Sequence, residues 1–240
     1  MTEIHVRSVS LAYRLRKKIT IAAPDRRIKT GGTISHSRFV TALDDVSFDL
    51  ETGDRLGLVG ANGAGKTTLL KVLYGIYEPT AGEVEIKGKV DALFNINLGF
   101  RLEATGRRNI ELRGLINGWT HREINQRMDE IIAFSELGDF IEMPLKSYSQ
   151  GMAARLAFSI ATSFESEILL MDEWIGAGDP AFQQKAKVRM ESFASKAGII
   201  VLASHNYALL KTTCNKVLRM EHGRVVEMGP TTEVLGPATP

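Results

Sequence analysis

The 240-residue sequence contains one cysteine, Cys214, only seven prolines and almost no net charge. A lone cysteine cannot form an internal disulfide, so we expect a protein of a reducing, cytoplasmic compartment. Thirty Lys and Arg residues against 28 Asp and Glu residues exclude a wholly basic nucleic-acid binder and an acidic disordered chain as descriptions of the whole molecule. The first ten residues also lack the apolar stretch of a signal peptide.

Long apolar runs are missing as well. A membrane-spanning helix requires roughly 20 consecutive apolar residues, and stretches such as 168–171 and 198–203 are far shorter. At 44% hydrophobic residues, the chain can nevertheless bury a substantial core. We therefore expect a soluble protein that does not cross a bilayer by itself.

Short aliphatic stretches alternate with longer stretches of helical periodicity, which predicts an α/β fold. We predict strands at residues 4–9, 46–50, 55–59, 82–86, 90–94, 168–171, 199–203, 217–220 and 224–228. The stretches 56–59 and 168–171 are apolar at every position, as is typical of central parallel strands. In the outer strands apolar and polar residues alternate more, which predicts that these strands form an antiparallel edge layer. Between about 107 and 164 no stretch resembles a strand, and residues 122–140 and 151–164 have helical spacing, which predicts a helical subdomain inserted into the core.

One later helix is marked at both ends. We predict Asp179 as its N-cap, Pro180 in its first turn and Gly198 as its stop. Its buried face is predicted from apolar side chains at helical spacing, which are Phe182, Ala186, Met190 and Phe193.

A phosphate-binding loop follows a predicted buried strand. It fits the pattern G-x-x-x-x-G-K-[ST] and consists of Gly60, Ala61, Asn62, Gly63, Ala64, Gly65, Lys66 and Thr67. Glycines allow the backbone to turn its N–H groups toward phosphate oxygens, and the following helix adds its positive N-terminus. We expect Lys66 to bridge the β- and γ-phosphates of a nucleotide and Thr67 to bind Mg²⁺. Thr68, which continues into the predicted helix, is also assigned to the nucleotide site.

Two carboxylates end a second buried strand. Residues 168–171 are followed by Asp172 and Glu173, which places both acids at the carboxyl edge of the sheet, where open α/β folds bind ligands. Asp172 is suited to hold Mg²⁺ through water, and Glu173 is suited to act as a general base. His205 follows the strand 199–203 and could reach the γ-phosphate. The alternatives are an acid pair that caps a turn and a structural histidine.

The stretch Tyr-Ser-Gln-Gly-Met before a predicted helix decides the class, because here the chain resembles the nucleotide-binding subunit of ABC transporters. This stretch aligns with the LSGGQ signature of that family. Ser149 and Gly151 match the signature, whereas Gln150 and Met152 depart from it. The resemblance implies that two copies bind ATP head to tail between them, so that the signature of one copy meets the γ-phosphate held by Lys66 of the other.

Further motifs follow the order of this family. The resemblance implies a D-loop that ends in Asp179, a switch histidine at His205 and an adenine-stacking aromatic at Tyr13, although an ordinary core or surface tyrosine would also fit that position. No glutamine occupies the expected Q-loop, where Asn95 or Asn97 could supply a side-chain amide.

The departures resemble the branch of this family that exports polysaccharides. They lie in residues 98–100, 105–109, 149–158 and 172–179. The resemblance implies an ATPase that powers export of lipid-linked O-antigen, capsule or teichoic acid polymers. It also implies two copies working with two transmembrane permease subunits at the cytoplasmic face of the membrane. We expect a single domain over residues 1–240, without the carbohydrate-binding domain that some members carry.

Three alternatives stay open at this point: another ABC exporter or importer, a soluble ABC-type ATPase that acts on ribosomes or DNA, and a small-molecule P-loop kinase. The soluble ATPases usually have paired nucleotide domains or a long coiled-coil insert, and 240 residues hold neither. A kinase would leave the signature and His205 unexplained. We therefore favour transport, with no nucleic-acid partner.

Residues 14–38 are locally basic, with eight Lys or Arg residues and one acid, Asp25. They are either a solvated surface hairpin or loop, or a segment that meets anionic lipid headgroups or the pyrophosphate of a lipid-linked glycan.

Overall fold

The computed structural model describes residues 1–14, 39–94, 99–173 and 180–236 and divides the chain into two compact units. The core unit comprises Met1–Ala92, Ser166–Trp174 and Ala197–Pro240. The helical unit comprises Leu93–Glu165 and Ile175–Lys196. Within these described ranges, none of the helices combines the length and apolarity that a membrane span requires.

The described residues form nine strands and seven α-helices. The strands are β1 (Glu3–Arg14), β2 (Phe39–Glu51), β3 (Arg55–Val59), β4 (Ala81–Lys87), β5 (Val90–Leu93), β6 (Ile168–Asp172), β7 (Ile199–Ala203), β8 (Lys216–Glu221) and β9 (Arg224–Pro230). The helices are α1 (Lys66–Leu73), α2 (Gly106–Ile116), α3 (His121–Ser135), α4 (Gln150–Ala161), α5 (Pro180–Lys196), α6 (Tyr207–Thr213) and α7 (Thr231–Val234). Each of the nine predicted strands is confirmed, with ends that differ by a few residues in most cases.

The larger sheet has the strand order β5-β6-β7-β3-β8-β9. Strands β6, β7, β3 and β8 pair in parallel, and β9 pairs antiparallel with β8. Residues 56–59 and 168–171 are buried at every position, which confirms the prediction of central parallel strands from their unbroken apolar sequence. Because these strands are parallel, the segments after β3, β6 and β7 leave the sheet at the same edge.

Cys214, which follows α6, lies in the core unit and is 7% exposed. This burial raises the pKa of its thiol to about 12, because a thiolate is poorly solvated among apolar atoms.

The smaller sheet is antiparallel and has the order β2-β1-β4, as the alternating outer strands predicted. Side chains of β1 alternate between buried Ile4 and Val6 and the more exposed His5 and Arg7. The pairing of β1 with β2 continues to Arg14 opposite Phe39. Both strands are therefore longer than predicted, because backbone pairing continues past the apolar stretches from which we predicted them. Residues 15–38 lie outside the described part of the chain.

The helical unit has its own apolar core, built mainly by α2, α3 and α4. Its buried residues are Ile110, Trp119, Ile124, Met128, Ile131, Leu137, Ile141, Leu145, Leu156, Ile160 and Phe164. The unit begins earlier than residue 107, the predicted start of the helical subdomain. Helix α2 was not predicted as a helix, because its sequence is rich in arginine and carries few apolar residues, of which Ile110 is fully buried.

Helix α5 belongs to the helical unit, outside the predicted bounds of the subdomain. The ring of Phe182 packs edge-on against Phe134 and Phe158, at 5.7 and 6.2 Å between ring centroids. The Lys185 ammonium lies 2.6 Å from the Glu136 carboxylate, which follows α3. The predicted apolar face of α5 is buried, and its predicted N-cap, Asp179, lies outside the described residues.

Candidate nucleotide site

The glycine-rich loop lies between β3 and α1 in the core unit. Gly60 has φ 146°, and a Cβ there would lie 2.3 Å from the carbonyl oxygen of Met220. Gly65, the N-cap of α1, has φ 109°, and a Cβ would lie 2.9 Å from the Ala42 carbonyl oxygen. Only glycine fits both positions without strain. Since glycine has no side chain, no side chain at the N-cap accepts the N–H groups of the first turn.

Lys66 is the first residue of α1 and is 8% exposed. Its Nζ donates hydrogen bonds to the carbonyl oxygens of Gly60, at 2.7 Å, and Ala61, at 3.1 Å. Burial lowers the pKa of Lys66, and the charges of Asp172 and Glu173 oppose that shift. The ammonium is therefore a poorly hydrated cation held inside the loop, and an anion that enters the loop would stabilise it.

Thr67 and Asp172 come together at the edge where β3 and β6 end. The Thr67 hydroxyl donates to Asp172 Oδ2 at 2.7 Å. A hydroxyl and a carboxylate are oxygen donors of the kind that Mg²⁺ prefers, so the pair fits a magnesium site. No cluster of three or more His, Cys, Asp or Glu side chains suitable for a metal occurs in the described ranges.

Glu173 has a left-handed backbone with φ 72°, which is uncommon for a residue other than glycine. Its N–H donates to the Ala203 carbonyl at 2.8 Å, since β6 and β7 run side by side and Asp172 pairs with Ala203. Its carboxylate accepts hydrogen bonds from the Ser204 hydroxyl and the His205 N–H. The side chain is exposed and remains accessible from the cavity described next.

A cavity of about 680 Å³ joins these groups in the core unit. Its lining comprises Tyr13, Val40, Thr41, Ala42, Asn62, Gly63, Ala64, Gly65, Lys66, Thr67, Thr68, Asp172, Glu173 and His205. Tyr13 packs edge-on against Tyr77, with 5.5 Å between ring centroids. Burial raises the pKa of Tyr13, while a hydrogen bond with Thr68 opposes this shift. A tyrosine ring, a loop that holds a buried cation and two carboxylates suit the base, the phosphates and the Mg²⁺ of a magnesium nucleotide.

Sequence reasoning missed several residues of this site. Thr41 and Ala42 line the cavity because β2 begins at Phe39, whereas the apolar pattern predicted that strand only from residue 46. Ser204 and Asn206 flank His205; the Ser204 hydroxyl donates to Glu173, and the Asn206 N–H donates to Ser204 Oγ. The signal that could have found Ser204 is its place directly after a buried strand at the same edge of the sheet.

The predicted signature lies in the helical unit. Ser149 is the N-cap of α4, and its hydroxyl oxygen accepts a hydrogen bond from the Met152 N–H at 3.2 Å. Gln150 and Gly151 form the first turn of α4. The residues that line the cavity all belong to the core unit.

Several predicted features fall on residues outside the described ranges. These are Asp179 with the rest of the D-loop, the Q-loop candidates Asn95 and Asn97, and all of the basic segment 14–38 except Arg14.

The sequence matches the family described as "ABC transporter" over residues 43–176. The O-antigen export system ATP-binding protein RfbE of Yersinia enterocolitica is 41% identical over 233 residues, which cover 95% of this chain and 98% of that protein. The O-antigen export protein RfbB of Myxococcus xanthus is 41% identical over 81% of this chain but only 45% of its own length. The teichoic acids export protein TagH of Listeria innocua is 40% identical over 80% of this chain and 57% of its own length.

Solved structures agree on the fold. The ATP-binding subunit of an ABC transporter superposes with a TM-score of 0.72, at 22% identity, over 96% of this chain and 90% of that one. A dimeric ATP-binding cassette in a post-hydrolysis state, bound to ADP and Pi, superposes with a TM-score of 0.70, at 18% identity, over 95% of this chain and 98% of that one. These similarities confirm the predicted α/β P-loop fold.

Proposed function

The chain belongs to the ABC transporter family, and on that premise we propose that it is the ATP-hydrolysing subunit of an exporter of lipid-linked polysaccharide. The observation that carries this proposal is the cavity in which Lys66, Thr67, Asp172 and Glu173 converge. The substrate class is supported by 41% identity over 98% of an O-antigen export protein and by similarity to teichoic acid exporters.

ATP binds in the cavity, with its phosphates on the loop and its adenine beside Tyr13. Lys66 exchanges its two carbonyl acceptors for phosphate oxygens, a charge-assisted interaction that is stronger than a bond to a neutral carbonyl. The N–H groups of the glycine-rich loop and of the first turn of α1 face the same anion. The negative charge of the phosphates therefore compensates the desolvation that lowers the pKa of Lys66.

Mg²⁺ fits at the pair of Thr67 and Asp172, whose oxygens already lie 2.7 Å apart. There it would neutralise charge on the phosphates and orient them. Thr67 would bind the ion directly and Asp172 would hold it through water.

Hydrolysis requires a base and groups that stabilise charge. Glu173 accepts a proton from water while the water oxygen bonds to the γ-phosphorus and the bond from that phosphorus to the bridging oxygen of ADP breaks. His205, at the end of the neighbouring strand, is positioned to donate to the γ-phosphate.

Two copies complete two sites. Ser149 and α4 of one copy meet the γ-phosphate bound by Lys66 of the other, and Asp179 contributes at the same junction. The dimeric cassette among the structural neighbours supports this arrangement at the level of the fold. ATP binding would close the dimer, and hydrolysis would reopen it.

Export requires further subunits. We propose two transmembrane permease subunits that bind the helical unit at the cytoplasmic face of the membrane and convert closure into movement of the polymer. A multispanning protein that co-purifies with the chain from membranes would support this arrangement, whereas exclusive recovery with ribosomes or DNA would contradict it.

The decisive test of the catalytic assignment is Glu173→Gln. This change keeps the size of the side chain but removes the base, so we expect hydrolysis to fall by about 100-fold or more and an ATP-bound dimer to accumulate in size-exclusion chromatography. Glu227→Gln is the matched control, because Glu227 pairs with Arg219 at the far edge of the same sheet. A Glu173→Gln chain that stays monomeric at saturating ATP and hydrolyses normally would refute the assignment.

A further inference from the structure

The carboxylate assigned as the general base is held by a buried hydroxyl that the mechanism above does not use. The Ser204 hydroxyl donates to Glu173 Oε2 at 2.9 Å, and Ser204 is 1% exposed. Its Oγ also accepts a hydrogen bond from the Asn206 N–H at 3.1 Å. A serine hydroxyl has one proton, so accepting from Asn206 leaves that proton for the carboxylate and sets the direction of the chain of hydrogen bonds.

The second carboxylate oxygen is held from the same loop. The His205 N–H donates to Glu173 Oε1 at 3.2 Å. Both oxygens of the base are therefore held by consecutive residues of the segment after β7. The backbone of Glu173 is left-handed, a sparsely populated conformation that persists where the surroundings hold it.

The segment after β7 is itself tied to two neighbouring elements, β3 and α6. The Ser204 N–H donates to the carbonyl of Leu58 at 3.3 Å, which ties the residue to β3, the strand that leads into the phosphate loop. Asn206 caps α6 by accepting the Leu209 N–H at 3.1 Å. Ser204 is thus held between β3 and α6, and the hydrogen bond from its hydroxyl holds the Glu173 carboxylate in a defined position.

We propose that Ser204 is a positioning residue for ATP hydrolysis, a role that rests on the proposed function. It fixes the orientation of the Glu173 carboxylate relative to the phosphate loop, so that the base meets the attacking water in one orientation. General-base catalysis depends steeply on such orientation. Loss of the hydroxyl should therefore affect the chemical step and leave ATP binding intact, whereas a purely structural hydroxyl would affect folding or binding.

The experiment compares Ser204→Ala with Ser204→Thr, which retains a hydroxyl. For Ser204→Ala we expect kcat to fall about tenfold or more, with KM for ATP and the affinity for a nonhydrolysable ATP analogue within about twofold of the parent chain. The lifetime of the ATP-bound dimer should lengthen by the same factor by which kcat falls. Ser204→Thr should restore most of the turnover.

A matched control is available in the core unit. The Ser166 hydroxyl donates to Asp91 Oδ2 at 2.9 Å and is 9% exposed, so Ser166→Ala removes a buried hydroxyl–carboxylate hydrogen bond of the same length that does not line the cavity. We expect it to leave kcat unchanged. Should Ser204→Ala fail to fold, Ser204→Cys keeps the size with a weaker donor and should give an intermediate kcat.

Normal turnover in a folded Ser204→Ala chain would overturn the inference. Loss of ATP affinity in parallel with turnover, or failure of Ser204→Thr to restore activity, would assign Ser204 a structural role and would also overturn it. Glu173→Gln separates the two proposals. If that change leaves hydrolysis intact, the role of Glu173 itself is wrong, whereas if it stops hydrolysis while Ser204→Ala does not, only the present inference is wrong.

Discussion

The N-termini of α1 and α4, which are both assigned to the γ-phosphate, are capped differently. At α1 the N-cap is Gly65, which offers no side-chain acceptor to the first turn. At α4 the N-cap is Ser149, whose oxygen accepts the Met152 N–H. The first helix thus leaves its donors for a ligand, whereas the second is already capped within its own chain. This difference fits the proposed site, in which α1 binds the phosphates within one chain and α4 is contributed by a second copy.

We expect the largest effect when the cation of the phosphate-binding loop before α1 is removed. Lys66→Ala should abolish ATP binding in equilibrium titration, because the buried ammonium is the main charge facing the phosphates. Lys87→Ala, which breaks an exposed pair with Glu3, is the control and should bind ATP normally. Equal affinity in the two variants would contradict the view that α1 holds the nucleotide by itself.

A smaller and different effect is expected at α4. Ser149→Ala should leave ATP binding to the monomer unchanged, because Ser149 belongs to the helical unit, but it should lower turnover of the dimer by about tenfold or more. Loss of the cap should also lower the free energy of unfolding by about 1 kcal/mol, measured in urea. A Ser149→Ala chain with weakened monomer binding would break the distinction between the two termini.

We expect the smallest effect from a cap that has no catalytic role, and this variant separates the contribution of capping at α4 from its contribution to catalysis. Thr120 caps α3 with a reciprocal capping box, in which its hydroxyl accepts from the Glu123 N–H and the Glu123 carboxylate accepts from the Thr120 N–H. Thr120→Ala should lower the free energy of unfolding by about 1 kcal/mol with no change in turnover. If turnover fell as much as in Ser149→Ala, the loss at α4 would reflect helix stability alone.

Most of the fold could be predicted from the sequence, because its strands are short apolar stretches bounded by turns. β3 and β7 were predicted with their observed bounds, since β3 is buried from Leu56 to Val59, β7 is buried throughout, and Gly60 and Ser204 follow them. Helix α2 was missed because it is stabilised by caps and a buried asparagine instead of an apolar stripe. The Asn109 amide donates to the carbonyls of Arg101, Ala104 and Thr105, contacts that no periodicity reveals.

The candidate site was predictable wherever a residue type implies its own chemistry. Lys66 and Thr67 follow from a loop pattern, and Asp172 and Glu173 follow from their place after a buried strand. The place of Ser204 after a buried strand could have marked it as a residue of this edge, but its hydrogen bond to Glu173 could not be predicted, because that bond depends on β6 and β7 lying side by side. Sequence patterns thus identified the reacting groups but not the groups that hold them in place.

The burial of Cys214 has a practical consequence for site-specific fluorescent labelling of this protein. Thiol reagents attack the thiolate, and burial raises the pKa of this thiol to about 12, which disfavours the reactive form at neutral pH. The thiol is also buried. Because the sequence contains no other cysteine, a cysteine introduced at an exposed position, such as Glu142→Cys, would be the one fast-reacting thiol. Fluorescent labels can therefore be attached to test the proposed dimer closure without first replacing Cys214.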